Sequence, residues 1–467
     1  MAQTIPIDFV ASEERVARLR VAAILNKIVF SSLLVLVVLS AIPYGTVEPW
    51  WKAAFVCAAF AICIVAIIES LISGESRIGG PKGILWSMLA LAALAFLQTI
   101  TIRQGSPDAG VAALQPWNAI SADPYQTRFF VLQILALTVC LALLYRYCTT
   151  KKRINVVIHL VIGIAVGSAL YGILRQTAQH QPGFVLPHTL PGQGYGQFIN
   201  KNHFALLMEM ALGLGLGVAL TRGLTKERVM SYVALLLPIW TALVLSNSRG
   251  GILAMLVQVV MAAILLTSGK LGARELPNYK ILRSKSVRVV LLLALVAVLF
   301  SGAVWVGGDK LVSSFGEAST ELNPDANGLR GGATRNEIWQ ASWKMFTAHP
   351  MLGVGLGGYW SAITAYHDAS GSMTPQEAHN DYLELLSSSG VVGFALGIWF
   401  FISLFRAVKV NLNSDDRFQR SACFAAVIAM TGVAVHSLVD FGLHLLVNAF
   451  IFLILVMVAT KKIDATQ

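Results

Sequence analysis

The stretch WWKAAFVCAAFAICIVAIIESLI, residues 50–72, decides what kind of protein this is. Between Lys52 and Glu69 it carries no charge. As one helix it can cross the roughly 30 Å hydrocarbon core of a bilayer, which takes about 20 mostly apolar residues. Similar runs recur on both sides of it, and spans are expected at 21–42, 50–72, 83–100, 128–147, 154–174, 203–220, 229–247, 250–268, 287–306, 382–405, 418–437 and 440–460. The first exceeds a signal-peptide core in length and is expected to stay as a helix. The fold class that follows is an all-α integral membrane protein with about twelve transmembrane helices. Composition agrees, since 56% of the 467 residues are hydrophobic and only 13% are charged, outside the range of soluble domains.

Lys and Arg outside the spans set the orientation, because positive loops stay in the cytoplasm. Most of the 35 fall on one side when both termini are cytoplasmic, so the net charge of +11 reads as topology rather than as a nucleic-acid footprint. Clusters such as Arg146, Lys151, Lys152, Arg153 and Lys280, Arg283, Lys285, Arg288 are placed to meet anionic lipid headgroups. No nucleic-acid partner is expected. The five cysteines lie in spans or beside the cytoplasmic face and fit neither a disulfide framework nor a common zinc pattern.

Three outer segments exceed a turn: 101–127, 175–202 and 307–381. The last is the largest, dividing the chain into helices one to nine (1–306), an outer loop (307–381) and helices ten to twelve (382–467). Every histidine except His159 falls on the outer side, so chemistry is expected there. Within the large loop, Arg335 to Ala348 puts Ile338, Trp339, Trp343 and Phe346 near one face, the pattern of an amphipathic helix on the membrane surface or capping the bundle. His349–Pro350 ends it. Gly353, Gly355, Gly357 and Gly358 then match the GxGxxG spacing, but no strand precedes them, so the run reads as a flexible turn admitting close backbone approach, able still to cradle an anion, rather than a nucleotide loop.

Three motifs at the outer boundary carry chemistry: Ser246–Asn247–Ser248–Arg249–Gly250–Gly251, Arg335 at the start of the amphipathic helix, and His379–Asn380–Asp381–Tyr382 opening span ten. An arginine held beside hydrocarbon is costly unless it meets an anion or a water-filled cavity. Snorkelling to headgroup phosphates is the other reading of Arg249, and capping of span ten is the other reading of His379. Asn380 and Asp381 read as caps of that helix.

Taken together and in order, these motifs resemble the O-antigen ligase and polymerase superfamily of bacterial polysaccharide assembly. The elements are Ser248–Arg249–Gly250, Arg335–Asn336–Glu337–Ile338–Trp339, His349–Pro350–Met351–Leu352–Gly353–Val354–Gly355 and His379–Asn380–Asp381–Tyr382–Leu383, with the likeness reaching back through Asn200–Lys201–Asn202–His203. The resemblance implies a GT-C-like glycosyltransferase architecture in the bacterial inner membrane, with its site facing the periplasm. It implies metal-independent transfer from an undecaprenyl-pyrophosphate-linked saccharide to a hydroxyl of a lipid A core or glycan acceptor, with membrane lipids as the other partner and no cofactor.

Such chemistry needs fixed cations for the pyrophosphate leaving group and a base for the acceptor hydroxyl. Arginine suits the first task because its planar fork grips phosphate bidentately and stays charged. Arg249 and Arg335 are the main candidates, with Arg175 and Lys201 behind them. Histidine, with an ordinary pKa of about 6.5, suits the second, and His379 is the matching position. Direct displacement with inversion is the expected stereochemistry. Ligase is favoured over the alternative, a polymerase joining lipid-linked repeat units. A transporter of an anionic solute is the competing class, although no internal repeat of two six-span halves is visible.

Two other sets of residues are ambiguous. His436, Asp440 and His444 are spaced like metal ligands on one helix, but a turn between spans eleven and twelve is expected there, which favours an outer hydrogen-bond network. Glu209, inside span six, needs either a structural partner or a role in moving protons.

Overall fold

The computed structural model describes residues 7–42, 44–75, 78–101, 117–178, 194–221, 226–267, 290, 293–294, 296–308, 334–367 and 375–463. In chain order its helices are α1 (Ile7–Ala41), α2 (Pro49–Ser73), α3 (Lys82–Gln98), α4 (Pro124–Tyr147), α5 (Lys151–Thr177), α6 (Lys201–Thr221), α7 (Lys226–Leu245), α8 (Arg249–Thr267), α9 (Val296–Gly308), α10 (Arg335–Ala348), α11 (Tyr359–Ile363), α12 (Asp381–Leu412), α13 (Arg417–His436) and α14 (Leu446–Thr460), with a 3-10 turn at Gly442–His444. Eight of these, α1, α2, α4, α5, α6, α8, α12 and α13, are long and apolar enough to cross a bilayer. Four shorter apolar helices, Lys82–Gln98, Met230–Leu245, Val296–Gly308 and Leu446–Thr460, overlap the remaining expected spans. The chain is an all-α integral membrane protein, and no β-strand occurs among the described residues.

At the centre stand α6 and α13, whose most apolar stretches are 83% and 72% buried, against 17% for α12. Lipid tails are as apolar as leucine, so membrane helices associate through close packing and interhelical hydrogen bonds. Both are present here. A Cβ added at Gly217 would lie 2.3 Å from the Ala425 Cα, and one at Gly213 would lie 2.8 Å from the Ala429 Cα. The two four-residue spacings mesh, and the backbones touch. Gln258 of α8 reaches into this contact, its Nε2 donating to the carbonyls of Glu209 (3.0 Å) and Ala429 (3.3 Å).

The bundle has two polar ends. At one, Arg146 pairs with Glu69 at 2.7 Å, Lys151 with Asp416 at 2.5 Å, and Arg153 donates to the Asn26 side chain at 2.7 Å. The α6 residue at that end, Thr221, hydrogen-bonds Ser421. Some 30 Å away along the same helix, His203 meets Asp440. His203, His379, His436 and His444 gather at this second end, together with the motifs singled out above.

Of the 307–381 loop, residues 309–333 and 368–374 lie outside the described residues. The expected amphipathic helix is α10, opened by a capping box in which Thr334 and Glu337 satisfy each other's backbone N–H groups. The buried face differs from the expected one. Ile338, Ala341, Ser342 and Met345 point inward while Trp343 is 53% exposed. Two small residues on that face let α10 lie closely on Val354, Tyr359, Ile363 and Ala378, where a tryptophan would hold it away.

The glycine run is clamped rather than flexible. Val354 and Gly355 donate their N–H groups to the carbonyls of Ser387 and Ser388, and Val391 and Val392 return bonds to Pro350 and Met351. This mutual pairing is possible because α12 breaks its helical geometry at Gly390 (φ 62°, ψ −167°). The Gln98 side chain finishes the brace, donating to Leu352 and Ser388 and accepting from the Leu356 N–H. All four glycine amides are bonded within the protein, so none is left to cradle a phosphate.

Gly390→Ala meets two obstacles: a backbone region favouring glycine, and a Cβ 2.4 Å from the Met351 carbonyl. The backbone term alone is about 1–3 kcal/mol. The substitution is expected to lower the melting temperature in detergent by several degrees. Gly163→Ala, where a Cβ meets nothing within 4 Å, is expected to leave it unchanged or slightly raised.

Candidate functional site

His379 sits at the junction of the outer loop and α12. Asn380 caps the helix, its side chain accepting from the N–H groups of Tyr382 and Leu383. Its amide also donates to the Leu438 carbonyl, and Asp381 ties the same turn to Ser437 through both backbone and side chain. On the other flank, Ala378 donates its N–H to Glu384 Oε2 at 2.8 Å and accepts at its carbonyl from Trp339 Nε1 at 3.0 Å. Held from both sides, His379 itself adopts φ 50°, an uncommon left-handed conformation. Its ring stands edge-on to Phe441 at 4.8 Å between centroids, with His203 on the same phenyl at 4.7 Å.

The backbone strain at His379 directs its imidazole to Asp440, Nδ1 to Oδ1 at 3.2 Å. Asp440 is 1% exposed, and its other oxygen faces His436 Nε2 at 3.8 Å and His203 Nε2 at 4.0 Å. Burial by itself would push the Asp440 carboxyl up. The hydrogen bond from His379, with the His436 and His203 imidazoles close by, instead holds it well below the ordinary carboxylate range. Behind His436, its Nδ1 meets Glu209 Oε2 at 3.0 Å. The His436-to-His444 segment is not one helix: α13 ends at His436, and residues 437–445 form a connector.

The arginines enter around this cluster. Ser248, fully buried, accepts from the Gly251 N–H and opens α8, which starts with Arg249. The next residue, Gly250, packs on the cluster's floor, for a Cβ there would lie 3.2 Å from His436 Nε2. Arg249 thus starts a helix seated on His436. Arg335 opens α10 one helical turn before Trp339, the residue bonded to Ala378, so the two share a face. Arg335 is half-buried and makes no hydrogen bond or ion pair among the described residues.

The other two cations lie differently. Arg175, 6% exposed, donates from Nη1 to the Gly196 carbonyl at 2.6 Å and fastens the 194–200 segment to α5. Lys201 is exposed at the start of α6, two residues before His203.

A second group of titratable residues adjoins His379. His444 presents Nδ1 to Glu377 at 3.4 Å and Nε2 to Glu384 at 3.4 Å and Asp381 at 3.6 Å. Glu377, Glu384 and His444 each offer a ligand atom within 4.8 Å of the others, a spacing that could hold a cation. Both ring nitrogens already face carboxylates, which is the arrangement of a charged imidazolium. Burial would lower His444, but Glu384 and Glu377 raise it well above 6.5. Burial would raise Glu377, but His444, Glu384 and Lys52 bring it down to about 2.

Phe441 and Glu377 carried no sequence signal, being one aromatic among many and a carboxylate in an unpatterned loop. The four-residue spacing of His436 and Asp440 was visible, but its connection to Glu209 and His379 depends on segments far apart in the chain.

Residues 233–398 match a family model described as O-antigen ligase. That interval contains Ser248–Arg249–Gly250, Arg335, His349–Pro350 and His379, the residues on which the superfamily likeness rests. Over that interval the chain is similar to an O-antigen ligase, and the match lies on a chain with eight helices long and apolar enough to cross a membrane among the described residues. No curated protein matches the chain.

The Glu377–His444 contact gives a pH dependence. A depressed carboxyl adds stability that is complete above its ordinary 4.5 and is lost as the pH falls toward 2. A raised imidazole adds stability that is complete below 6.5 and is lost as the pH climbs through its raised pKa. The two overlap between pH 4.5 and 6.5. The melting-temperature loss caused by His444→Gln is expected to be greatest there and to shrink on either side. A loss independent of pH would show that the pairing is not ionic.

Proposed function

We propose that this chain is a periplasmic glycosyltransferase that moves a saccharide from undecaprenyl pyrophosphate to an acceptor hydroxyl, and that it acts as the ligase attaching polysaccharide to the lipid A core. The observation that carries the reading is the His379–Asp440 pair on the same floor as the Ser248–Arg249–Gly250 turn. With Nδ1 on the carboxylate, the ring directs Nε2 elsewhere, and the side chain keeps 32% of its exposure. This is the arrangement of a base with an orienting partner.

In the proposed step the acceptor oxygen attacks the anomeric carbon while its proton passes to His379 Nε2. The bond to the pyrophosphate oxygen breaks, and the leaving group departs with the electron pair. The growing negative charge falls to Arg249 and Arg335, whose guanidinium groups stay charged and can take it up without a metal. Asp440 stabilises the imidazolium that forms. Attack opposite the departing pyrophosphate inverts the anomeric centre. Both termini face the cytoplasm in this reading, with the histidine end in the periplasm of the inner membrane.

Purified protein in nanodiscs, given a lipid-linked donor with and without a lipid A core acceptor, tests the assignment. Product on the core supports a ligase; a longer chain on the carrier replaces that with a polymerase. His379→Ala is expected to retain donor binding and lose transfer by about a hundredfold or more. Unimpaired turnover would favour a transporter. Because an ammonium cannot reproduce the guanidinium fork, Arg249→Lys is expected to lose about a hundredfold. Chelators are expected to leave transfer intact; loss restored by divalent ions would remove the phosphate-binding role from the arginines.

A further inference from the structure

Behind Asp440 the structure holds a pair for which the transfer step has no direct use. Glu209 is wholly buried in the middle of α6, and His436, 1% exposed, ends α13. They meet at 3.0 Å, Glu209 Oε2 to His436 Nδ1, and the far edge of the same imidazole faces Asp440. Read outward, the order is Glu209, His436, Asp440, His379: carboxylate and imidazole alternating from the bundle centre to the exposed ring.

We infer that Glu209 and His436 are positioning residues of the transfer site, which fix Asp440 so that it in turn fixes the tautomer and direction of His379. The inference rests on the reading of His379 as the base. Asp440 lies on the 437–445 connector, outside any α-helix, so its side-chain partners set where its carboxylate points. Of these, among the described residues, only His436 is itself anchored by a second buried carboxyl group. Glu209 is anchored in turn by the close backbone contact of α6 with α13 and by Gln258, which bonds its carbonyl.

A role in packing alone explains the pair poorly. Burying two ionisable groups is often no more stabilising than an apolar pair of the same volume. The α6–α13 contact already has its meshed small residues and the Thr221–Ser421 hydrogen bond. The pair is also incompletely satisfied. Glu209 Oε1, His436 Nε2 and Asp440 Oδ2 are buried without hydrogen-bond partners among the described residues. Such contacts are commonly long in the free enzyme and tighten when the reacting complex forms.

The test uses the full-length protein in nanodiscs, with donor binding, KM, kcat and melting temperature measured for each variant. Glu209→Gln is expected to lower kcat by about ten- to a hundredfold with the donor KM unchanged, the scale on which distant misplacement of a reacting group acts. For His436, asparagine can place its amide near Nδ1 and glutamine near Nε2. His436→Asn should therefore keep the Glu209 contact and lose the Asp440 contact, with a large fall in kcat. His436→Gln, which keeps the Asp440 contact and gives up Glu209, should lose less than His436→Asn and no more than Glu209→Gln. Because both residues act through one carboxylate, the double variant Glu209→Gln/His436→Asn should be no slower than its slower parent.

Equal losses from the two His436 variants, or a double variant slowed by the product of its parents, would assign the pair to packing and overturn the inference. So would full kcat in Glu209→Gln and His436→Asn alongside loss in Asp440→Asn and His379→Ala, an outcome that leaves the glycosyl-transfer reading intact. Transfer surviving His379→Ala would instead remove that reading itself. Should Glu209→Gln not fold, the comparison of asparagine with glutamine at position 436 decides alone.

Discussion

One buried carboxylate organises the outer end of this bundle. Asp440 is almost without solvent, and three imidazoles from three parts of the chain share it: His379 before α12, His203 at the start of α6, and His436 at the end of α13. An isolated carboxylate in that place would be expensive or protonated. Its stability as a charge therefore depends on the histidines, and the mutual placement of the segments that carry them depends on it. Phe441 reinforces the arrangement by giving His379 and His203 one shared ring to pack against.

Two features of the apolar bundle make that meeting possible. The Gly213/Gly217 and Ala425/Ala429 contact brings α6 and α13 to backbone distance, setting Glu209 and His436 within hydrogen-bond reach. The break at Gly390 opens the backbone of α12 so that the loop from Pro350 to Gly355 can pair with it. That loop follows α10 directly. The brace fixes α10, and through Trp339 it fixes the backbone next to His379. The glycines serve the site by anchoring what surrounds it.

Charge is unevenly distributed around His379. Arg249 starts a helix seated on His436, and Arg335 lies on the α10 face turned toward Ala378. Glu377, Glu384 and Asp381 gather instead around His444. Under the proposed reaction, a pyrophosphate belongs with the arginines, while the carboxylate group suits the hydroxyl-rich side of a saccharide. The base then stands where the two substrates meet.

The sequence alone determined the class of protein, the number of apolar segments, the helix from Arg335 to Ala348 and the break after His436. These follow from hydropathy, periodicity and capping, which act over one or two turns. It also marked Arg249, Arg335 and His379 through motif order. It did not determine which face of α10 is buried, because that depends on how near Val354 and Tyr359 come. Nor could it turn the glycine run from a flexible turn into a clamped one, since the partners are on α3, α4 and α12. The joining of Glu209 and His379 to the visible His436–Asp440 spacing was decided by tertiary structure alone. Glu209 and His379 lie on segments far from that pair in the chain, and a buried ionisable group reveals its partner only when the backbones that carry the two have been packed together.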